Sequence, residues 1–137
     1  MEAHFELSDE LFEQQFQTCT LNSALFSHEA HLRLAWIHIK KYGVEKAAEN
    51  ISEQLTTFVA YAGARDKYNK TLTIAAIKAI NHFIYQSGTN NFYDFIQEFP
   101  RLKFNFKELM SYHYQIDIYN SEIAEREFVE PDLLPFT

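Results

Sequence analysis

Two histidines and a glutamate in the run His28-Glu29-Ala30-His31 form the densest cluster of chemistry-bearing side chains in this chain. An imidazole exchanges protons near neutral pH, ligates metals and shares hydrogen bonds at either ring nitrogen. The run falls one residue short of the His-Glu-x-x-His zinc-protease helix, whose histidines stand at i and i+4 with the glutamate behind the metal. Here they stand at i and i+3, about 60° apart on a helix, so that motif is absent. An i, i+3 pair can still share a metal, as Glu-x-x-His pairs do in carboxylate-bridged bundles, but the chain offers no matching Glu-x-x-His. A metal on His28 and His31 has to recruit its other ligands from Asp132, His82, His113 or Glu29. The sequence specifies no cofactor.

A helix must position this pair. Ser27 stands where an N-cap belongs, Gly43 where a C′ residue belongs, and Leu32, Ala35, Trp36 and Ile39 recur at helical spacing. At 100° per residue, His28 projects onto that apolar face, His31 and His38 onto one flank, and Arg33 and Lys40 onto the other. Two histidines are thereby expected to turn inward.

A second cluster is Lys67-Tyr68-Asn69-Lys70-Thr71-Leu72-Thr73. Asn69 or Thr71 is expected to cap a following helix, with Tyr68 packed over its start. The same residues suit a ligand. Exposed N–H groups at a helix start, with the hydroxyls of Tyr68, Thr71 and Thr73 and Lys67 nearby, fit a carboxylate or phosphate. No Gly-rich loop, hydrolase elbow or Gly-x-Gly-x-x-Gly accompanies them, which argues against nucleotide binding and against a serine or cysteine hydrolase. Asp132, in the tail, can orient a histidine. The candidate catalytic residues are therefore His28 and His31, and the candidate ligand-binding residues are Tyr68, Asn69, Thr71, Thr73 and Asp132, with any metal on His28 and His31. The competing reading is structural: these groups satisfy buried neighbours and fasten the C-terminal segment.

The remaining chain reads as helices. Ser8 with Asp9 and Glu10 opens a first helix running to about Thr18, with Leu11, Phe12 and Phe16 inward and a loop over 19–26. After Gly43, the positions Val44, Ala47, Ala48, Ile51, Leu55, Phe58, Val59 and Ala62 keep an i, i+3, i+4 period with almost no misses up to Gly63. A helix over Thr71 to Gln86 is apolar around more than half its circumference. Asn90 or Asn91 caps a short one that Pro100 ends. Another is expected over 105–114, and a last one from Asn120 or Ser121, followed by an extended tail over 129–137 where prolines restrict the backbone.

Composition sets the class. With 137 residues, 47% apolar and 16% aromatic, but only three Gly and three Pro, the chain is expected to be a single all-α domain, a compact bundle of six or seven helices. The net charge of −7 repels phosphate backbones and anionic headgroups, so neither nucleic acid nor membrane is an expected partner. The charge is uneven: residues 1–60 sum to −5, 61–110 to +3 and 111–137 to −5. No run of 18 apolar residues and no signal-peptide pattern occurs. One cysteine, Cys19, excludes an intrachain disulfide and a thiolate zinc site, which fits a reducing cytoplasm.

Three segments resemble an uncharacterised family of small, soluble bacterial all-helical proteins: Phe26 to Trp36 (Phe-x-His-x-x-His-Leu-Arg-x-Ala-Trp), Lys67 to Thr73 (Lys-Tyr-x-x-Thr-Leu-Thr) and the Pro131-Asp132 tail. The likeness spans Phe12 to Leu134. It implies no activity, substrate or cofactor. Where the family carries a histidine after the tyrosine, this chain carries Asn69, a poor metal ligand, which argues against a three-histidine site. The leading expectation is a small-molecule-binding protein or enzyme with a polar cleft around His28 and His31. The alternatives are a protein–protein interaction module or homodimer in which these residues are structural, and a metal-binding protein.

Overall fold

A computed structural model describes residues 1–136. Among them are eight α-helices and no strand: α1 (Asp9–Gln17), α2 (His28–Tyr42), α3 (Val44–Tyr61), α4 (Lys70–Gln86), α5 (Phe92–Glu98), α6 (Arg101–Phe104), α7 (Phe106–Ser111) and α8 (Glu122–Arg126). The all-α class read from composition is the class observed. No helix among the described residues is long and apolar enough to cross a membrane. The chain forms two compact units, divided between Tyr68 and Asn69.

In the first unit α1, α2 and α3 pack on one another. Their starts and stops follow local chemistry. Ser8 accepts from Leu11 N and Ser27 from Ala30 N, so α1 and α2 begin on side-chain caps. Gly43, at φ 88°, ends α2 in a conformation that a Cβ disfavours, and α3 starts in the next residue. The rings of Phe16, Phe26 and Phe58 meet at centroid distances of 5.0 to 5.1 Å, joining α1, the α2 entry and α3. Sequence period did not mark the 3-10 turn over Ala3–Glu6, which is too short to show one.

The second unit is held by its tail. Asn69 caps α4 by accepting from Leu72 N, and its amide donates to the Ile118 carbonyl at 2.8 Å. Thr71, fully buried, donates to the Glu127 carbonyl at 2.7 Å and accepts from Val129 N at 3.0 Å. Tyr114 donates to the Val129 carbonyl at 2.6 Å, and Gln115 N donates to Asp132 at 3.0 Å. Burial and the carboxylates of Glu130 and Asp132 raise the Tyr114 pKa, so it stays a donor. The helix expected over 105–114 is α7, which starts just after Asn105 but is shorter, and α6 before it, Arg101–Phe104, is a helix the sequence reading lacked. The last residue of the expected tail, Thr137, lies outside the described residues.

Thr71→Val keeps the volume but removes both hydrogen bonds to the tail. A loss of about 1–3 kcal/mol in chemical denaturation is expected, with faster proteolysis after residue 126. Unchanged stability and cleavage would show that the tail is held elsewhere.

Candidate functional site

The α2 helix presents its histidines differently from the wheel. His28, at the first helical position, is exposed, whereas His38 is 1% exposed. The first turn of α2 buries Glu29 and Ala30 instead, about 100° and 200° round the helix from His28, so the side that packs there is not the one the wheel gives. His31 is exposed on one edge, and its ring lies on Phe26 at 3.8 Å and 28°, with Phe26 itself seated against Phe16 and Phe58. Crowding by this apolar matter, then the neighbouring charge of His28, lowers the His31 pKa to about 4. The open edge moderates that desolvation but leaves its direction. The His31 ring makes no hydrogen bond among the described residues, so a neutral imidazole stands on an aromatic platform with both nitrogens uncommitted.

The other candidates divide by unit. Tyr68 is half-buried after the 3-10 turn Arg65–Lys67 in the first unit. Asn69, Thr71, Thr73 and Asp132 belong to the second, where each already has a bond: Asn69, Thr71 and Asp132 as above, and Thr73 to the Asn69 carbonyl at 2.8 Å.

Sequence reasoning missed the most connected polar group of the first unit. Arg33, placed by the wheel on a flank beside Lys40, is 4% exposed. It donates to Asp9 at 2.9 Å and to the carbonyls of His4 at 2.7 Å and Leu7 at 2.8 Å, and it lies over the rings of Phe12 and Phe5 at 4.8 and 5.4 Å. Its Nη1 also reaches His4 Nδ1 at 3.3 Å, while His4 Nε2 lies 2.7 Å from Glu29. These contacts select one tautomer. Nδ1 accepts from the guanidinium and Nε2–H donates to the carboxylate. Ser27, besides capping α2, donates to Glu2.

Among the described residues one trio of potential metal ligands gathers, Glu2, His4 and Glu29, and it includes neither His28 nor His31. Its chemistry opposes a cation. Ligation through Nε2 would move the proton to Nδ1, against a guanidinium N–H 3.3 Å away. The trio reads as a buried clamp on the N-terminal turn. The faint signal for it was the pairing of a lone N-terminal histidine with an arginine inside an apolar helix.

Lys41 donates to Glu13 at 2.8 Å and Tyr42 donates to it at 2.6 Å. Burial alone would raise the Glu13 pKa, but these two bonds outweigh it and lower the pKa. His38 has neither ring nitrogen bonded among the described residues, and burial lowers its pKa against the opposing pull of Glu13.

No family model, curated protein or solved structure matches this chain. The reading therefore rests on the geometry alone.

His4, His31 and His38 all resist protonation in the folded chain, burial being the first cause in each. Unfolded histidines take a proton near pH 6.5, so below that value the unfolded state binds more protons and folding weakens. Stability is expected to be level above about pH 7 and to fall from about pH 6.5 downward. The His31 imidazole shifts in NMR should titrate near pH 4, and a midpoint at 6.5 would contradict the stacked geometry. Arg33→Met should cost about 2–4 kcal/mol, chiefly because it strands the His4 and Leu7 carbonyls, Asp9 being open enough to be solvated.

Proposed function

We propose that this chain is a small-molecule-binding protein whose ligand is recognised by His31 with His28 beside it. The observation that supports this is a division of labour among the candidate residues. Asn69, Thr71, Thr73 and Asp132 are spent on the fold, whereas the His31 ring is positioned by stacking and hydrogen-bonds to nothing in the described chain. A neutral imidazole offers one donor and one acceptor, and its open edge admits a solute. A ligand with a proton to share fits it as a hydrogen-bond donor.

His31→Phe preserves the stack and removes the nitrogens. Its stability should stay within about 0.5 kcal/mol of the parent chain, while compounds that raise the parent melting temperature in a metabolite screen lose that effect. Hits that survive in His31→Phe would place recognition elsewhere. Elemental mass spectrometry of tag-free protein tests the metal-binding reading. Stoichiometric metal that disappears in both His28→Ala and His31→Ala would replace the organic ligand with a metal ion.

A second reading, an interaction module or homodimer, draws on the tail fastening of the second unit and on exposed aromatic side chains. Phe104 is 72% exposed and Tyr85 83%. Large exposed rings are common at contact surfaces. Sedimentation equilibrium discriminates: a concentration-dependent dimer that Phe104→Ser weakens supports this reading, and a monomer throughout removes the homodimer.

A further inference from the structure

The second unit contains a cavity of about 120 Å3 that none of the His28 and His31 chemistry uses. Its wall is mostly apolar: Ala79 and Phe83 from α4, Leu109 and Met110 from α7, and Phe136 from the tail. Two histidines join them, and their bonds fix their tautomers. The His113 Nδ1–H donates to the Leu134 carbonyl at 2.8 Å, which leaves Nε2 as a bare acceptor with no partner among the described residues. His82 Nε2 accepts from the Gln86 side-chain amide at 2.8 Å, because an amide nitrogen cannot accept, so that nitrogen is occupied. The Tyr112 hydroxyl is engaged with Glu108 and Arg101, which leaves its ring as wall.

Volume and polarity together define an occupant. An apolar cavity of about 150 Å3 accepts benzene, so a space of this order takes one six-membered ring and little more. A ring carrying a single hydroxyl or N–H would meet apolar side chains over its faces and the His113 acceptor at its edge. The His113 imidazole cannot drift from that position, since it is tied to Leu134 and stacked on Phe136 at 4.0 Å and 25°. We propose that this cavity is a binding site for a single-ring aromatic molecule with one hydrogen-bond donor, a phenol-class ligand, whose proton is accepted by His113 Nε2. The site is independent of the His31 proposal, and either can fail alone.

The full chain, labelled at Ala79 and Met110 methyl groups, is titrated with phenol, anisole and benzene. Anisole keeps the ring and lacks the donor proton. Saturable shifts at both methyls are expected, with phenol bound about five-fold more tightly than anisole or benzene, the preference of one hydrogen bond. In His113→Phe the preference should vanish while benzene still binds, and Ala79→Leu, which fills the space, should abolish both. Absence of saturable methyl shifts at about 10 mM phenol would overturn the site. Equal affinity for phenol and anisole in the natural chain would overturn the role of His113, and needs no variant to fold.

Discussion

A guanidinium enclosed by protein must be paired, and in the first unit that requirement falls on Arg33. Leaving a charge of this kind unpaired in a buried setting is strongly destabilising, so every acceptor it needs has to be delivered by the fold. Asp9 comes from the start of α1, and the carbonyls of His4 and Leu7 come from the chain just before it. The N-terminal turn is therefore part of the α2 surface. His4 continues the network, accepting from Arg33 on one nitrogen and donating to Glu29 on the other, so that both ends of the chain of bonds lie on α2. The rings of Phe5 and Phe12 lie against the flat guanidinium and exclude water from it.

The second unit solves a similar problem with neutral groups. Among the described residues its tail has no regular structure after α8, and an irregular segment must place its backbone groups somewhere. Thr71 takes both a donor and an acceptor role toward residues 127 and 129, and Asp132 caps the Gln115 amide. Each such bond is modest in net energy but expensive to break on one side only. The segment is thus fixed by several small constraints, whereas the N-terminal turn is fixed by one large one.

What was legible in the sequence follows from that difference. Ser8, Ser27, Asn69, Asn91 and Ser121 were readable as helix starts, and each accepts from the backbone N–H three residues on in its helix, because capping is decided within one turn. The period of α3 was readable for the same reason. Arg33 was not. A helical wheel assigns a side by angle, and Arg33 does lie off the main apolar stripe. Its burial comes from residues 24 to 29 positions away, which no local pattern encodes. His28 failed in the opposite direction, apolar by angle yet exposed, because the first turn packs through Glu29 and Ala30. The four-residue α6 between Pro100 and Asn105 was also hidden, since one turn is too short to show a period.

The histidines sort by how their nitrogens are used. His4 has both ring nitrogens engaged, which makes it a fixture of the fold, whereas His82 and His113 each have one nitrogen bonded and so hold one tautomer with the other nitrogen open. His38 is enclosed without a bond to the described chain, and its lowered pKa keeps it in the form that burial penalises least. His31 differs from both. Its edge is open, so unbonded nitrogens entail no buried loss, and the ring is nevertheless held in place by Phe26 and the aromatic cluster behind it. Rigid placement without a hydrogen-bonding duty is what a recognition group needs, because the geometry is set before the ligand arrives and no internal bond has to break when it does. His38 shows that unbonded nitrogens alone do not make a site, and it is the open edge of His31, on a ring already fixed by Phe26, that the proposed recognition uses.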